Sequence, residues 1–134
     1  MGTPRSAAAR VRVRYADTDQ MGVAYYANYL AWFEVGRTEL LRALGWSYRE
    51  MEAAGVALPV IEASCRYLRP AHYDDELDVR TTGTLVSPAQ LAFEYDVRRA
   101  GTGEVLATGR TLHAGVNPQG RPCRLPARVR DLFV

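Results

Sequence analysis

The chain has 134 residues and a formal net charge of +2, and 48% of its residues are hydrophobic and 24% charged. This length and balance indicate a single soluble globular domain, and so small a charge does not predict nucleic-acid binding. No apolar run is long enough for stable membrane insertion, and the first ten residues lack the apolar segment of a signal peptide. We therefore expect a cytoplasmic protein without nucleic-acid partners.

The chain is expected to begin with a flexible tail over residues 1–9, followed by a single domain over residues 10–134. From Arg10 to Tyr15 charged and apolar residues alternate strictly. This period of two predicts a first strand with one buried face.

A long helix is predicted from about Asn28 to Gly45. Apolar residues recur there at spacings of three, four and seven, which is typical of a helix. These residues are Leu30, Phe33, Leu40, Leu41 and Leu44. Further apolar side chains broaden this face, so we expect other structure to wrap the helix. Gly45 ends this pattern, and a glycine is the usual residue just after a helix end.

The rest of the chain predicts a short helix and then four strands. Ser47 and Glu50 have the spacing of a capping box, and this helix would end near Gly55. Turn sequences at 71–75, 87–90 and 100–103 separate four strand-like segments, which indicates an antiparallel meander. We therefore predict an α+β fold in which an antiparallel sheet of about five strands wraps a long central helix. A last helical turn is expected in PARVRDLF.

No group of cysteine, histidine and carboxylate residues has the spacing of a metal site. Cys65 and Cys123 lie far apart and are interpreted as free thiols. His72 and His113 have no partner at catalytic spacing and are interpreted as structural. The sequence therefore predicts neither a metal nor another cofactor.

The segment before the long helix, YADTDQMGVAYYAN, places two aspartates close to the helix start. A carboxylate can attack a carbonyl carbon or activate a water, and free N–H groups at a helix start can hold the oxyanion that forms. Gly22 would let the connecting loop bend. In the plainer interpretation Asp19 caps a turn, and Asp17 forms a turn or an ion pair. Asn28 either caps the helix or orients the loop.

The segment YADTDQMGVAYYANYLAWFEVGRTELLR resembles the signature of the 4-hydroxybenzoyl-CoA thioesterase family, and is closest to the branch associated with the Tol-Pal gene cluster. The segments CRYLRPAHYDDEL, FEYDVRRAGTGEVLATGRTLHAGV and GRPCRLP follow in the family's order. The resemblance implies the hotdog fold and metal-free hydrolysis of acyl-CoA thioesters. It also implies homo-oligomers, either edge-to-edge dimers or a homotetramer of two such dimers, with active sites between subunits.

The resemblance also implies roles for individual residues. Asp19 matches the catalytic carboxylate, acting as nucleophile or general base, and the backbone N–H of Tyr26 matches the donor to the thioester oxygen. The branch usually has a histidine at position 26, so a mechanism with an imidazole there does not carry over. Specificity is expected from the helix start and from a partner subunit's strand. The expected substrate-binding residues are Gly22, Tyr25, Asn28, Pro59 and Ile61.

The phosphates of CoA would need basic side chains. Related thioesterases hold the nucleotide near a strand hairpin, but the matching hairpin here, residues 87–90, carries no positive charge. The nucleotide site would then use other arginines, bind weakly or be completed by a neighbouring subunit. An acyl carrier protein, which brings no nucleotide, is an equally suitable substrate.

Three alternatives stay open. A hotdog dehydratase would need a catalytic histidine with a carboxylate, and no such pair is visible. A non-catalytic module that binds acyl-CoA or an acyl carrier protein would hold its ligand without turnover. A structural partner of envelope proteins is suggested only by the gene association.

Overall fold

The computed structural model describes residues 3–134, which form one five-stranded antiparallel sheet with helices on it. The strand order is β1-β3-β4-β5-β2, so the predicted α+β fold with a sheet of five strands is confirmed. The strands are β1 (Arg5–Arg12), β2 (Val60–Tyr67), β3 (Glu76–Ser87), β4 (Gln90–Arg99) and β5 (Val105–Ala114). The helices are α1 (Asn28–Ala43), α2 (Tyr48–Ala53) and α3 (Ala127–Leu132), and a short 3-10 turn covers Tyr15–Asp17.

The long helix α1 lies directly on the sheet. Phe33 is fully buried, and its ring stacks on that of Tyr95 in β4 with 4.2 Å between centroids. Gly36 makes the close approach possible, because a Cβ there would lie 2.3 Å from the Thr81 hydroxyl oxygen on β3. The sheet covers only one side of α1 in this chain, and Leu30 on the other side stays exposed.

The first strand differs from its prediction. It spans Arg5–Arg12 rather than residues 10–15, so residues 5–9, expected in the tail, pair with β3. Ala7 and Ala9 supply this early half, and strand pairing through the backbone does not require the large alternating side chains on which the prediction relied. Residues 1–2 of the expected tail lie outside the described residues.

The helix boundaries mostly follow the predictions. α1 begins at Asn28, and Gly45 follows its end with a φ of +87°, the left-handed conformation that favours glycine. Only half of the predicted capping box forms, because the Ser47 hydroxyl accepts from the Glu50 N–H at 3.2 Å while the Glu50 carboxylate lies 3.8 Å from Arg128. The expected last helical turn is α3.

Strand β2 forms one edge of the sheet and pairs only with β5. Its residues Val60 and Ile61 are exposed at one end, and Tyr67 at the other. The other edge of β2 is unpaired within residues 3–134. None of the helices in the described part of the chain has the length and hydropathy needed to span a membrane.

Candidate active site

A tight loop over residues 18–24 connects the 3-10 turn to the start of α1. The Asp19 N–H donates to the Val23 carbonyl at 2.9 Å, and the Gly22 N–H donates to the Asp19 carbonyl at 3.0 Å. Gly22 has a φ of +80°, and a Cβ there would meet no atom within 4 Å. The bend predicted at Gly22 is therefore present, and it depends on backbone conformation rather than on space.

The Asp19 side chain is half-buried and holds its carboxylate in a fixed position. Its Oδ1 accepts from the Met21 N–H at 2.8 Å, which is the turn contact that the plainer interpretation predicted. Its Oδ2 has no hydrogen-bond donor among residues 3–134, and no arginine in that range pairs with it. One carboxylate oxygen is thus anchored while the other stays available.

Asp17 occupies a very different environment, with only 5% of its surface exposed. Its Oδ2 accepts from the Arg14 backbone N–H at 2.8 Å, and its Oδ1 accepts from the Arg14 guanidinium at 2.9 Å. The hydrogen bond from the Arg14 side chain is the main reason why the pKa of Asp17 lies below its ordinary value. Asp17 is therefore the ion-pair partner that the sequence allowed.

The start of α1 presents two N–H groups without acceptors. The Tyr25 N–H donates to the Asp17 carbonyl at 2.7 Å, and the Asn28 N–H donates to the Tyr25 carbonyl at 3.0 Å. Between them, the N–H groups of Tyr26 and Ala27 find no acceptor within the described residues. Such donors at a helix start carry the partial positive charge of the helix dipole. They lie where the sequence predicted the first free N–H groups.

Asn28 orients the loop and does not cap the helix. Its side-chain amide donates to the Asp17 carbonyl at 2.7 Å. Ala27 is the N-cap residue, without a side-chain cap. Of the two roles left open for Asn28, the structure supports the second.

A cavity of about 320 Å³ brings Asp19 and Tyr26 together. Its remaining wall is largely apolar and aromatic. The lining residues besides these two are Met21, Val23, Ala24, Tyr29, Tyr67, Leu68, Arg69 and Pro70. Asp19 and the residue before the first helical turn therefore line one open cavity.

The other predicted substrate-binding residues do not line this cavity in the single chain. Gly22, Tyr25 and Asn28 flank it along the loop and the helix start. Pro59 immediately precedes β2 and Ile61 is its second residue, at the opposite end of the strand from Tyr67. The sequence placed them near the substrate through a partner subunit, so their role stays a prediction.

Sequence reasoning missed Tyr67. Its hydroxyl donates to the Tyr26 carbonyl at 2.8 Å, and its ring meets that of Tyr29 edge-on, with 4.9 Å between centroids. The contact joins residues 41 positions apart. A tyrosine at the end of a strand gives no local signal of such a partner, so only the strand pairing reveals it.

A buried polar chain lies apart from the cavity, between α1 and the sheet. The Tyr95 and Thr111 hydroxyls are 2.6 Å apart, and His113 bonds to Thr111 at 2.9 Å and to the Leu58 carbonyl at 3.0 Å. Burial lowers the pKa of His113 to about 4, so its imidazole is neutral at pH 7. This arrangement confirms the structural interpretation of His113.

Several arginines lie on the outer face of the sheet, away from Asp19. Arg66, Arg80 and Arg110 surround a cavity of about 630 Å³ there, together with the carboxylates of Glu94 and Asp96. Only Arg69 reaches the cavity beside Asp19, and it pairs with Glu104 at 3.0 Å. No group of three potential metal ligands occurs among residues 3–134.

Known proteins resemble this chain in both sequence and structure. The family model described as the thioesterase-like superfamily matches residues 13–133. The acyl-CoA thioester hydrolase YbgC of Escherichia coli O6:H1 is 35% identical over 120 residues, which are 89% of each chain. YneP of Bacillus subtilis (strain 168) is 51% identical over 71 residues, which are 53% of this chain and 51% of that protein.

A solved structure extends the similarity to the fold. Slr0204, a 1,4-dihydroxy-2-naphthoyl-CoA thioesterase from Synechocystis, superposes with a TM-score of 0.88 and 27% sequence identity. The superposition covers 95% of this chain and 94% of that chain. The range matched by the family model, residues 13–133, includes the helix start and the loop that precedes it.

Proposed function

This chain belongs to the thioesterase-like superfamily and is a thioester hydrolase, and on that premise we propose that it hydrolyses acyl-CoA at the cavity beside Asp19. The products are a carboxylic acid and free CoA. One observation supports the assignment of the site: a carboxylate oxygen of Asp19 and the N–H of Tyr26, neither of which has a partner among residues 3–134, belong to residues that line the same cavity.

The Tyr26 N–H supplies the electrostatic part of the reaction. The thioester carbonyl oxygen accepts a hydrogen bond from it, and negative charge develops on that oxygen when the carbonyl carbon is attacked. A fixed backbone donor at a helix start stabilises this charge without having to reorganise. The tyrosine ring is not required for this step, since the donor is the main chain.

The Asp19 carboxylate supplies the nucleophile by one of two routes. In the first, Oδ2 attacks the carbonyl carbon, the C–S bond breaks, and water then hydrolyses the resulting anhydride. In the second, Oδ2 takes a proton from a water molecule, which attacks the same carbon as the C–S bond breaks. The Met21 N–H holds Oδ1 in both routes, so the reactive oxygen keeps one orientation.

The cavity wall supports an aromatic or short acyl group as the substrate. Tyr26, Tyr29 and Tyr67 provide flat apolar surface, and Slr0204 acts on an aromatic acyl-CoA. An acyl carrier protein as the thiol carrier stays within the proposal. The reaction is expected in the cytoplasm, where acyl-CoA is found.

The proposal includes a homo-oligomer, a dimer or a homotetramer. The unpaired edge of β2 and the exposed Val60 and Ile61 support it, because such an edge is suited to pairing with another strand. A partner's β2 would bring its Pro59 and Ile61 toward the acyl group. Membership of the branch associated with the Tol-Pal gene cluster stays a prediction.

Replacing Asp19 by asparagine tests the proposed function. Asp19→Asn keeps the shape of the side chain but removes the charge, so kcat for acyl-CoA hydrolysis is expected to fall at least about 100-fold. The unfolding midpoint should stay unchanged, because Asp19 makes no ion pair within residues 3–134. The measurement is thiol release from a panel of short, long and aromatic acyl-CoAs.

Asp131→Asn is the matched control, since Asp131 is an exposed carboxylate on α3, far from the cavity lining. It should retain full turnover. Undiminished hydrolysis by Asp19→Asn would contradict the assignment of Asp19. Tight binding of acyl-CoA without turnover by the wild type would favour the non-catalytic module.

A further inference from the structure

The hydrogen bond from Tyr67 to the Tyr26 carbonyl links the edge strand of the sheet to the start of α1. We propose that Tyr67 is a positioning residue, whose hydroxyl holds the peptide plane that follows Tyr26 and so directs the Ala27 N–H, next to the Tyr26 donor, toward the thioester oxygen. The inference rests on the proposed function and names a residue that the reaction needs but that takes no part in bond making.

The geometry of the peptide bond explains how a contact to a carbonyl controls a donor. In a trans peptide the C=O and the N–H lie in one plane and point in opposite directions. The hydroxyl of Tyr67 therefore fixes the plane that carries the Ala27 N–H. The preceding plane, which carries the Tyr26 N–H, is fixed by the bond from the Asn28 N–H to the Tyr25 carbonyl. The Tyr26 and Ala27 N–H groups, which have no acceptor within residues 3–134, thus each belong to a peptide plane whose carbonyl accepts a hydrogen bond.

The Tyr67 hydroxyl is the stronger of the two contacts to the Tyr26 carbonyl. The other comes from the Tyr29 N–H at 3.3 Å, beyond the usual N–H···O range, whereas the Tyr67 contact at 2.8 Å is a normal O–H···O distance. Without the hydroxyl, only the weaker contact would hold this plane. The helix start would then sample orientations that direct its donors away from the substrate.

The Tyr67 side chain is itself held rigidly. Its ring meets Tyr29 edge-on, and a second edge-on contact to Tyr26 has 6.4 Å between centroids. Its backbone is paired with Ala107 of β5. The hydroxyl is therefore carried by a residue that the sheet and two aromatic contacts hold in place.

The hydroxyl is also in the correct protonation state to donate. Loss of water around it is the largest of the effects that raise the pKa of Tyr67 above its ordinary value, followed by the nearby Cys65 thiol. The phenol is therefore protonated at all pH values at which the reaction would be assayed. It donates to the carbonyl and does not serve as a base.

Tyr67→Phe tests the proposal, because it removes the hydroxyl and keeps the ring contacts. We expect kcat to fall about tenfold, which is part of the effect of about 100-fold or more for removing an oxyanion donor outright. The KM should stay within about twofold of the wild type, since the cavity wall is retained. A shift of KM alone would mean that Tyr67 only binds substrate, and would overturn the proposal.

Tyr73→Phe is the matched control. Tyr73 is 58% exposed against 45% for Tyr67, its ring also makes an edge-on contact, with Tyr15, and its hydroxyl forms no hydrogen bond in the described chain. Its kcat and unfolding midpoint should equal those of the wild type. A tenfold loss in Tyr73→Phe as well would show that the Tyr67 effect is not specific and would overturn the proposal.

A vibrational measurement separates positioning from a general structural effect. Benzoyl-CoA bound to Asp19→Asn should show a thioester C=O stretch at lower frequency than in water, because the helix donors polarise the bond. In the double variant Asp19→Asn/Tyr67→Phe this shift should shrink. An identical stretch in the two variants, or a Tyr67→Phe kcat within twofold of the wild type, would overturn the role of Tyr67.

These outcomes stay distinct from failure of the proposed function. Full turnover by Asp19→Asn contradicts the catalytic carboxylate, whatever Tyr67→Phe does. An inactive Asp19→Asn together with a fully active Tyr67→Phe removes only the positioning role.

Discussion

Two aspartates separated by one residue occupy opposite environments in this protein. Asp17 is buried, and both of its carboxylate oxygens accept from Arg14. Asp19 is half-buried, accepts one hydrogen bond from the Met21 N–H, and keeps its second oxygen without a partner in the described chain. The same type of side chain therefore stabilises the fold at position 17 and is available for chemistry at position 19.

The comparison shows that the environment assigns the role. The arginine beside Asp17 stabilises the charged carboxylate and lowers its pKa, and a carboxylate stabilised in this way is a weaker base. Asp17 also connects the 3-10 turn to the start of α1, since its carbonyl accepts from the Tyr25 N–H and the Asn28 side chain. No arginine in the described chain pairs with Asp19, which lines the cavity, and Arg69 in the same lining pairs with Glu104 instead.

The largest stability effect that sharpens this contrast is expected at Asp17. Asp17→Asn removes a charge held by the Arg14 guanidinium and by the Arg14 N–H, so the free energy of unfolding should fall by about 2 kcal/mol at pH 7. Asp19→Asn should change it by less than about 0.5 kcal/mol. Urea denaturation of both variants measures the difference, and equal losses would contradict the separate roles.

The pH dependence of the Asp17 effect provides its control. Because the folded pKa of Asp17 lies below its unfolded value, its contribution is present above the unfolded pKa of about 3.9 and is lost as the pH falls through the folded pKa. The gap between wild type and Asp17→Asn should therefore close on acidification. A gap that stays constant down to pH 2 would show that the charge of Asp17 is not its cause.

A smaller effect is expected at the loop that presents Asp19. Gly22 and Gly45 have φ values of +80° and +87°, and a Cβ at either would meet no atom within 4 Å. Alanine at either position should cost about 1 kcal/mol of unfolding free energy, but only Gly22→Ala should also lower kcat, because it disturbs the loop that holds Asp19. Thermal unfolding with turnover assays measures both quantities. Equal kcat values for Gly22→Ala and Gly45→Ala would contradict a specific role of the loop in the reaction.

Local sequence patterns predicted those parts of the fold that depend on local chemistry. The start of α1 at Asn28 and the turn at residues 87–90 follow from periodicity and turn residues. The early half of β1 could not be predicted in this way, because Ala7 and Ala9 form no clear alternation and pair only through the register with β3. Long-range backbone pairing leaves little trace in such short side chains.

The same difference between local and long-range contacts decides which parts of the candidate site could be predicted. Asp19, Gly22 and Tyr26 lie within one short segment, and the resemblance of that segment to a family signature was what predicted a site there. The ion pair between Asp17 and Arg14 is also local, three residues apart. Tyr67 could not be predicted, because its contact with Tyr26 exists only after β2 joins the sheet and α1 lies on it.

The most direct test of the central claim is a crystal structure of Asp19→Asn with unhydrolysed benzoyl-CoA. The account predicts a thioester oxygen about 2.7–3.1 Å from the Tyr26 nitrogen, with the carbonyl carbon next to the side chain of residue 19. A benzoyl-CoA bound with its thioester outside this cavity, or with its carbonyl oxygen directed away from the start of α1, would contradict it.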